Sequence, residues 1–298
     1  MTPITEVEGR RLALSNLDKV LYPATGTTKG EVLHYYAATA AAVLLAHLDD
    51  RPVSFLRYPD GPDGQRFFTK NPPPGTPDWV RTAEVQRHEG QSSRQVVVQD
   101  LASLVWAANL VVEFHTPQWR AEAPRIADRL VFDLDPGAPA SIVECCTVGL
   151  WLRERLAADG LTAYGKTSGS KGLHLLVPLE PTPAEQVSAY AKGLALEAQN
   201  TLPELVVHRM TRALRPGKVF VDFSQNAAAK TTATPYTLRA RAEPTVSAPV
   251  TWDEIEGCGA PGELVFLAGD MAARLDRYGD LLGPLFDADL ARPLPDAT

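Results

Sequence analysis

The sequence reads as an α+β protein because strand-like and helix-like stretches are mixed from end to end, they do not repeat as strict βαβ units, and no clear linker interrupts them. Taken in order, Thr28–Leu48 carries a helical pattern, and Arg51–Arg57 has the length and apolar content of a strand. The proline run Asn71–Gly75 marks a loop. Arg94–Gln99 then reads as a strand and Asp100–Leu110 as a helix, followed by the strand Arg129–Asp135 and the helix Ser141–Asp159. Gly172–Pro178 and Lys218–Asp222 are further strands on either side of a helix over Pro183–Gln199. Thr28, Asp100, Ser141 and Thr182 are the expected N-caps, since short oxygen-bearing side chains can accept the first-turn amides. The expected organisation is a single catalytic domain of two intimately packed α/β modules, roughly 1–125 and 126–242, with an acidic helical segment over 243–298.

Composition narrows the setting. An apolar content of 45% in 298 residues supports a packed core. Three cysteines, two of them adjacent (Cys145, Cys146) and one at Cys258, supply neither a disulfide framework nor a C-x-x-C metal knuckle, which points to a reducing cytoplasm. The N-terminus lacks an apolar export signal, and the longest apolar stretch, Ala37–Leu48, is too short to span a bilayer, so no membrane partner is expected. The formal charge of −7 argues weakly against a nucleic-acid binder, but the charge is segregated. Residues 205–242 hold seven basic side chains and one acid, Asp222, whereas 243–298 hold eleven acids and three arginines. A local site for an anionic ligand is therefore compatible with an acidic protein.

The chemistry concentrates in three places. In Leu130–Gly137 an apolar strand ends in Asp133 and Asp135, two residues apart and so on one face, a pairing that hard divalent cations favour. Asp222 closes a second strand inside the basic stretch, where it could complete a two-metal site for phosphoryl chemistry. Between them Lys166–His174 forms a Gly/Ser loop with two lysines, suited to a polyphosphate but not a P-loop, because the glycine spacing differs and a strand follows. His174 alternates with Leu173 and Leu175 and so faces away from them.

Phe132–Asp135, Ser168–His174 and Val221–Asn226 resemble, in order, the three signature motifs of the archaeo-eukaryotic primase superfamily, and more closely the polymerase domain of bacterial non-homologous end-joining ligase D and its stand-alone relatives. Leu17–Pro23, Thr27–Lys29, Arg66–Lys70, Glu113–Trp119, Gly217–Phe220 and Tyr236–Arg241 extend the resemblance over nearly the whole chain. It implies a primase-polymerase fold with a mixed or antiparallel sheet bearing the carboxylates. It further implies Asp133, Asp135 and Asp222 as catalytic ligands of two Mn²⁺ or Mg²⁺ ions, and His115, Ser168, Lys171, His174, Gln225 and Arg239 as contacts to an NTP or dNTP. Lys19 and Lys29 match the lysines that hold the 5′-phosphate of a gapped or recessed DNA end, and Phe67 and Phe68 match the aromatics that stack on the template. Arg57, Lys70, Arg215 and Lys230 are the other expected DNA contacts; Arg57 is the lone basic residue in a strand where the family carries more. The implied function is template-directed nucleotidyl transfer with a ribonucleotide preference in double-strand-break repair, beside Ku and a DNA ligase, in the cytoplasm at the nucleoid.

Other readings start from parts of this set. A haloacid-dehalogenase-like phosphatase also ends an apolar strand in D-x-D, but it wants Thr or Val where Gly137 stands. A non-catalytic module that bridges DNA ends would need the lysines and phenylalanines and not three carboxylates. A stand-alone primase-polymerase in replication or excision repair shares the mechanism. No lysine sits in a K-x-D-G motif, so the chain is not expected to seal DNA itself.

Overall fold

The computed structural model describes residues 4–86 and 92–295, with helices and sheets mixed along the chain as the α+β reading expects. Two compact units emerge. The first is formed by Met1–Thr116, Thr232–Ser247 and Phe266–Gly279, the second by Pro117–Thr231, Ala248–Val265 and Asp280–Thr298.

In the first unit Pro52–Arg57 pairs antiparallel with Val112–Thr116 on one side and with Ser92–Val97 and Phe67–Thr69 on the other, and Thr232–Ala233 and Thr82–Gln86 close the two ends of the sheet. Leu101–Asn109 is buried along nearly its whole length, and its Trp106 meets Phe55 edge-on in a cluster that continues through Phe114 to Tyr36. Asp100 caps this helix through the Ser103 amide, and Thr28 caps Lys29–His34 through the Glu31 amide, both as expected.

Thr28–Leu48 is not one α-helix. It divides into Lys29–His34, a π-helical turn over Tyr35–Ala40, and Ala41–Leu48. The adjacent Tyr35 and Tyr36 are both buried: the Tyr35 hydroxyl donates to the Tyr236 carbonyl (2.7 Å), and the Tyr36 hydroxyl accepts from the Leu238 amide (2.9 Å).

The second unit is built on a six-stranded mixed sheet in the order Val206–Val207, Val219–Asp222, Ile126–Pro136, Leu173–Pro183, Tyr164–Thr167 and Pro249–Val250. All pairings are antiparallel except that of Val206–Val207 with Val219–Asp222. Ile142–Ala158 packs on the face that carries Leu134, Leu173 and Leu175, with Gly149 at the contact. On the opposite face Val131 and Leu176 are covered by Leu282 and Leu285.

Thr182 is not a helix cap. The strand runs on to Pro183, the Thr182 hydroxyl donates to the Glu180 carbonyl (2.7 Å), and the helix Ala184–Thr201 begins with the Ala184 amide bonded to the Arg125 carbonyl (2.9 Å). A backbone acceptor from the turn that precedes Ile126–Pro136 has replaced the side-chain cap. No helix among the described residues is long and apolar enough to cross a membrane, and the three cysteines are free and buried.

Ser141 forms a reciprocal box with Glu144 at the start of the helix that supports the Leu134 strand. Ser141→Ala is expected to cost about 1 kcal/mol, read as a lower midpoint in urea unfolding with an unchanged slope. An unchanged midpoint would show that the cap does not contribute.

Candidate functional site

In the second unit, register assembles the carboxylates. Asp133 stands directly opposite His174 on one neighbouring strand and Asp222 on the other, and Lys166 stands opposite His174 one strand further. Directly opposed residues share a face with Cβ atoms about 5 Å apart, so Lys166, His174, Asp133 and Asp222 form a row across four strands. Asp135 lies on the same face two residues along, roughly 7 Å away, opposite Phe220.

Each member is held differently. His174 Nε2 lies 3.1 Å from Asp133 Oδ1. Asp222 accepts from the Ser224 amide (3.0 Å) and hydroxyl (2.6 Å) through Oδ1 and from Gln225 Nε2 (2.9 Å) through Oδ2. Burial, followed by the negative charge of Asp133, pushes the Asp135 carboxyl up to about 6, against the pull of Lys171 and Arg215. The Arg215 guanidinium lies over the Phe220 ring, 3.8 Å from its centre. Among the described residues no three His, Cys, Asp or Glu side chains converge as a closed ligand set. The donors themselves suit a hard cation: three carboxylates on two adjacent strands, one of them raised by burial and then by its like-charged neighbours.

The Gly/Ser segment is a hairpin turn. The Ser168 hydroxyl oxygen accepts from the Ser170 (3.2 Å) and Gly172 (3.1 Å) amides, and the Ser168 amide donates to the Gly172 carbonyl (2.9 Å). At Gly172 a Cβ would stand 2.2 Å from the Leu134 carbonyl oxygen, so only glycine lets the turn lie against the carboxylate strand. Lys171 is on this turn, but Lys166 is a fully buried strand residue and not part of the loop. Ser168, Lys171, His174, Gln225, Arg215 and Lys230 thus all belong to the second unit.

His115 and Arg239 belong to the first unit, where a buried glutamate gathers them. Glu113 accepts from Arg239 Nε (2.9 Å), from the Ala240 amide (2.6 Å) and, at 3.1 Å, from His115 Nε2. Burial alone would raise its carboxyl; the His115 hydrogen bond, the Arg239 charge and the Ala240 amide outweigh that and hold it down at about 2. His115 in turn meets the Phe68 ring edge-on at 6.4 Å. Phe67 and Phe68 are 43% and 56% exposed, an unusual placement for two adjacent aromatics, and they pair with Arg57 and Leu56. Lys70 follows at the strand end. Lys19 and Lys29 are brought together, the Lys29 amide donating to the Lys19 carbonyl (2.8 Å). Lys19 Nζ also donates to Asp60 (2.6 Å) and to the Pro59 carbonyl (2.7 Å), while burial and then the charge of Lys19 lower the pKa of Lys29.

The model of the family described as LigD, primase-polymerase domain, matches residues 28–282. The chain belongs to this family. It is 45% identical over 286 residues to the multifunctional non-homologous end joining protein LigD of Mycolicibacterium smegmatis, covering 94% of this chain and 36% of that protein. It is also 31% identical to the bifunctional non-homologous end joining protein LigD of Bacillus subtilis, covering 93% and 44%. The chain therefore spans less than half the length of these relatives. Among solved structures it resembles the polymerase domain of Mycobacterium tuberculosis ligase D in complex with DNA, with a TM-score of 0.86 and 41% identity over 92% of this chain and 98% of that one.

Two residues of this LigD-type domain went unassigned in the sequence: Glu113 and Asn226. Both lie inside motifs that carry the resemblance, but Arg239 and Val131, which they bind, lie far along the chain, beyond the reach of local pattern. Because the Glu113 carboxyl sits below its usual 4.5, its stabilisation is present above that pH and is lost as pH falls toward 2, with a size of about 3 kcal/mol. Urea unfolding of Glu113→Gln is expected to show that deficit at pH 7 and a narrowing gap to the wild type between pH 4.5 and 3. A gap that stays constant over that range would refute the assignment.

Proposed function

We propose that the chain is a template-directed nucleotidyltransferase that fills gaps and extends DNA ends in double-strand-break repair by non-homologous end joining, with a preference for ribonucleotides. The observation that carries the reading is the register of Asp133 against Asp222, with Asp135 on the same face, in a chain of the LigD primase-polymerase family. Support for DNA as partner comes from the M. tuberculosis relative, whose structure is described as a complex with DNA.

Asp133, Asp135 and Asp222 are the residues that would hold Mn²⁺ or Mg²⁺, as two ions. When bound, such cations activate a primer 3′-hydroxyl and neutralise charge on a triphosphate. The chain's own groups prepare that chemistry. His174 restrains Asp133 through its Nε2, and Ser224 and Gln225 restrain both oxygens of Asp222. Lys171 and Arg215 set positive charge beside Asp135, and Lys171 would offer its share to the phosphates of an incoming nucleotide. Ser168 shapes the turn that carries Lys171. His115 and Arg239, fixed by Glu113, are the nucleotide contacts offered by the first unit.

For DNA, the exposed Phe67 and Phe68 rings offer stacking surface that tolerates any sequence, since every base has a π-face. Arg57, Lys70, Arg215 and Lys230 would take backbone phosphates, and Lys19 with Lys29 a terminal 5′-phosphate. Ku and a DNA ligase are the proposed partners, in the cytoplasm at the nucleoid.

The deciding experiment incubates the protein with a labelled gapped duplex, each of the eight NTPs and dNTPs, and Mg²⁺ or Mn²⁺. Templated addition is expected, with ribonucleotides preferred, and Asp133→Ala should reduce it to a few per cent or less while gapped-duplex binding persists. Activity retained in Asp133→Ala would remove the carboxylate assignment.

A binding titration on the same duplex with and without its 5′-phosphate addresses the lysines. Two charge-assisted contacts contribute on the order of 1–2 kcal/mol each, so the wild type should favour the phosphorylated gap roughly tenfold or more. The Lys19→Ala/Lys29→Ala double variant should lose most of that preference. A preference retained in full would place the phosphate elsewhere.

A further inference from the structure

We infer that Asn226 is a positioning residue for the carboxylate centre: its side-chain amide continues the ladder of Ile126–Pro136 beyond the end of Val219–Asp222 and so fixes where Asp222 stands against Asp133. The inference rests on the metal-dependent reading above.

The pairing of Val219–Asp222 with the central strand stops at the Asp222–Asp133 pair. Beyond it the chain turns into the 3₁₀ segment Phe223–Asn226, whose last side chain reaches Val131. Val131 is fully buried, so its amide and carbonyl need partners. Asn226 supplies both. Its Oδ1 accepts from the Val131 amide (2.8 Å) and its Nδ2 donates to the Val131 carbonyl (2.8 Å), the two bonds that a residue of a paired strand would make. The same Nδ2 donates to the Phe223 carbonyl (2.9 Å), tying the first residue of the turn to its last.

The turn is thereby fixed at both ends. Ser224 and Gln225 grip the Asp222 carboxylate, and Asn226 grips the strand that carries Asp133 and Asp135. Any slack at Val131 is transmitted to the spacing of carboxylates two strand positions away. With 1% of its surface exposed, Asn226 is not placed to meet nucleotide or DNA, so any effect it has must pass through Asp222. The chemistry also selects the residue. Aspartate would set an acceptor against the Val131 carbonyl, and alanine would leave both Val131 groups without partners.

The test measures Mn²⁺ binding to the whole chain by electron paramagnetic resonance of the free ion, at a temperature where circular dichroism shows each protein folded. Wild type, Asn226→Asp and Asn226→Ser are compared with Leu156→Ala, which empties part of the buried core behind the sheet without touching Val131. Asn226→Ser keeps one short polar group and serves if the aspartate does not fold. Mn²⁺ affinity should fall at least tenfold in the Asn226 variants and less than twofold in Leu156→Ala. At saturating Mn²⁺ the Asn226 variants should lower kcat with KM for the nucleotide within twofold of wild type, and their affinity for the gapped duplex should not change. Wild-type Mn²⁺ affinity in the Asn226 variants would overturn the inference, as would an equal loss in Leu156→Ala, which would mean general softening. Absence of Mn²⁺ binding in the wild type would instead overturn the metal-dependent reading itself.

Discussion

The second unit depends on the antiparallel register of Ile126–Pro136 against its two neighbours. That register alone decides that Asp133 has a histidine on one side and a carboxylate on the other. A slip of one residue would turn Asp133 and Asp135 into the face packed by Ile142–Ala158 and expose Leu134 in their place. The register is therefore pinned from several directions. Gly172 lets the hairpin turn touch the Leu134 carbonyl, and at Gly137 a Cβ would stand 2.1 Å from the Arg215 carbonyl oxygen. The Gly137 amide donates to the Lys218 carbonyl, so the chain leaving Asp135 is tied to the strand that leads to Asp222.

Two carboxylates, Glu113 buried in the first unit and Asp135 half-buried in the second, show what such pinning permits. Glu113 has a guanidinium, a backbone amide and an imidazole within hydrogen-bond reach, and its pKa falls. Asp135 has burial and two like charges, and its pKa rises despite Lys171 and Arg215. The first arrangement stabilises a fold. The second opposes folding and persists only because the strand pairing on both sides holds the backbone where it is, which is the pattern expected where local stability yields to chemistry. Within one protein the same side-chain chemistry thus marks a structural anchor and a candidate reaction centre, separated by whether the counter-charge and hydrogen bonds that the chain supplies outweigh burial and like charge.

Legibility in the sequence followed the range of the interaction. Asp133 and Asp135 were visible because a two-residue period needs only local pattern, and His174 was placed on the face opposite Leu173 and Leu175 for the same reason. The caps at Thr28, Asp100 and Ser141 are local boxes and were equally visible. Thr182 misleads because the acceptor that starts the helix, the Arg125 carbonyl, comes from a turn nearly sixty residues earlier in the chain. The π-turn at Tyr35–Ala40 answers to Tyr236 and Leu238, two hundred residues on, and nothing near Tyr35 encodes it. Lys166 reads as part of a Gly/Ser loop because Gly and Ser follow it, whereas cross-strand pairing draws it into the sheet.

The charge distribution carries a similar lesson about averages. A formal charge of −7 describes the whole chain and not the surface near Lys19. There two lysines are joined through the backbone, one of them buried enough for its pKa to fall, with the Asp60 carboxylate on the other. Asp60 is largely exposed and its pairing with Lys19 is screened by solvent, so an exposed ion pair of this kind contributes little to folding. A second ammonium beside it, desolvated and repelled by the first, opposes folding. Such a pair gains most from an anion carrying more than one charge, because each ammonium then meets its own share of negative charge and the mutual repulsion is relieved. The same logic separates a terminal phosphate from an internal phosphodiester, so net acidity does not decide whether a protein can favour a multiply charged anion at one place on its surface.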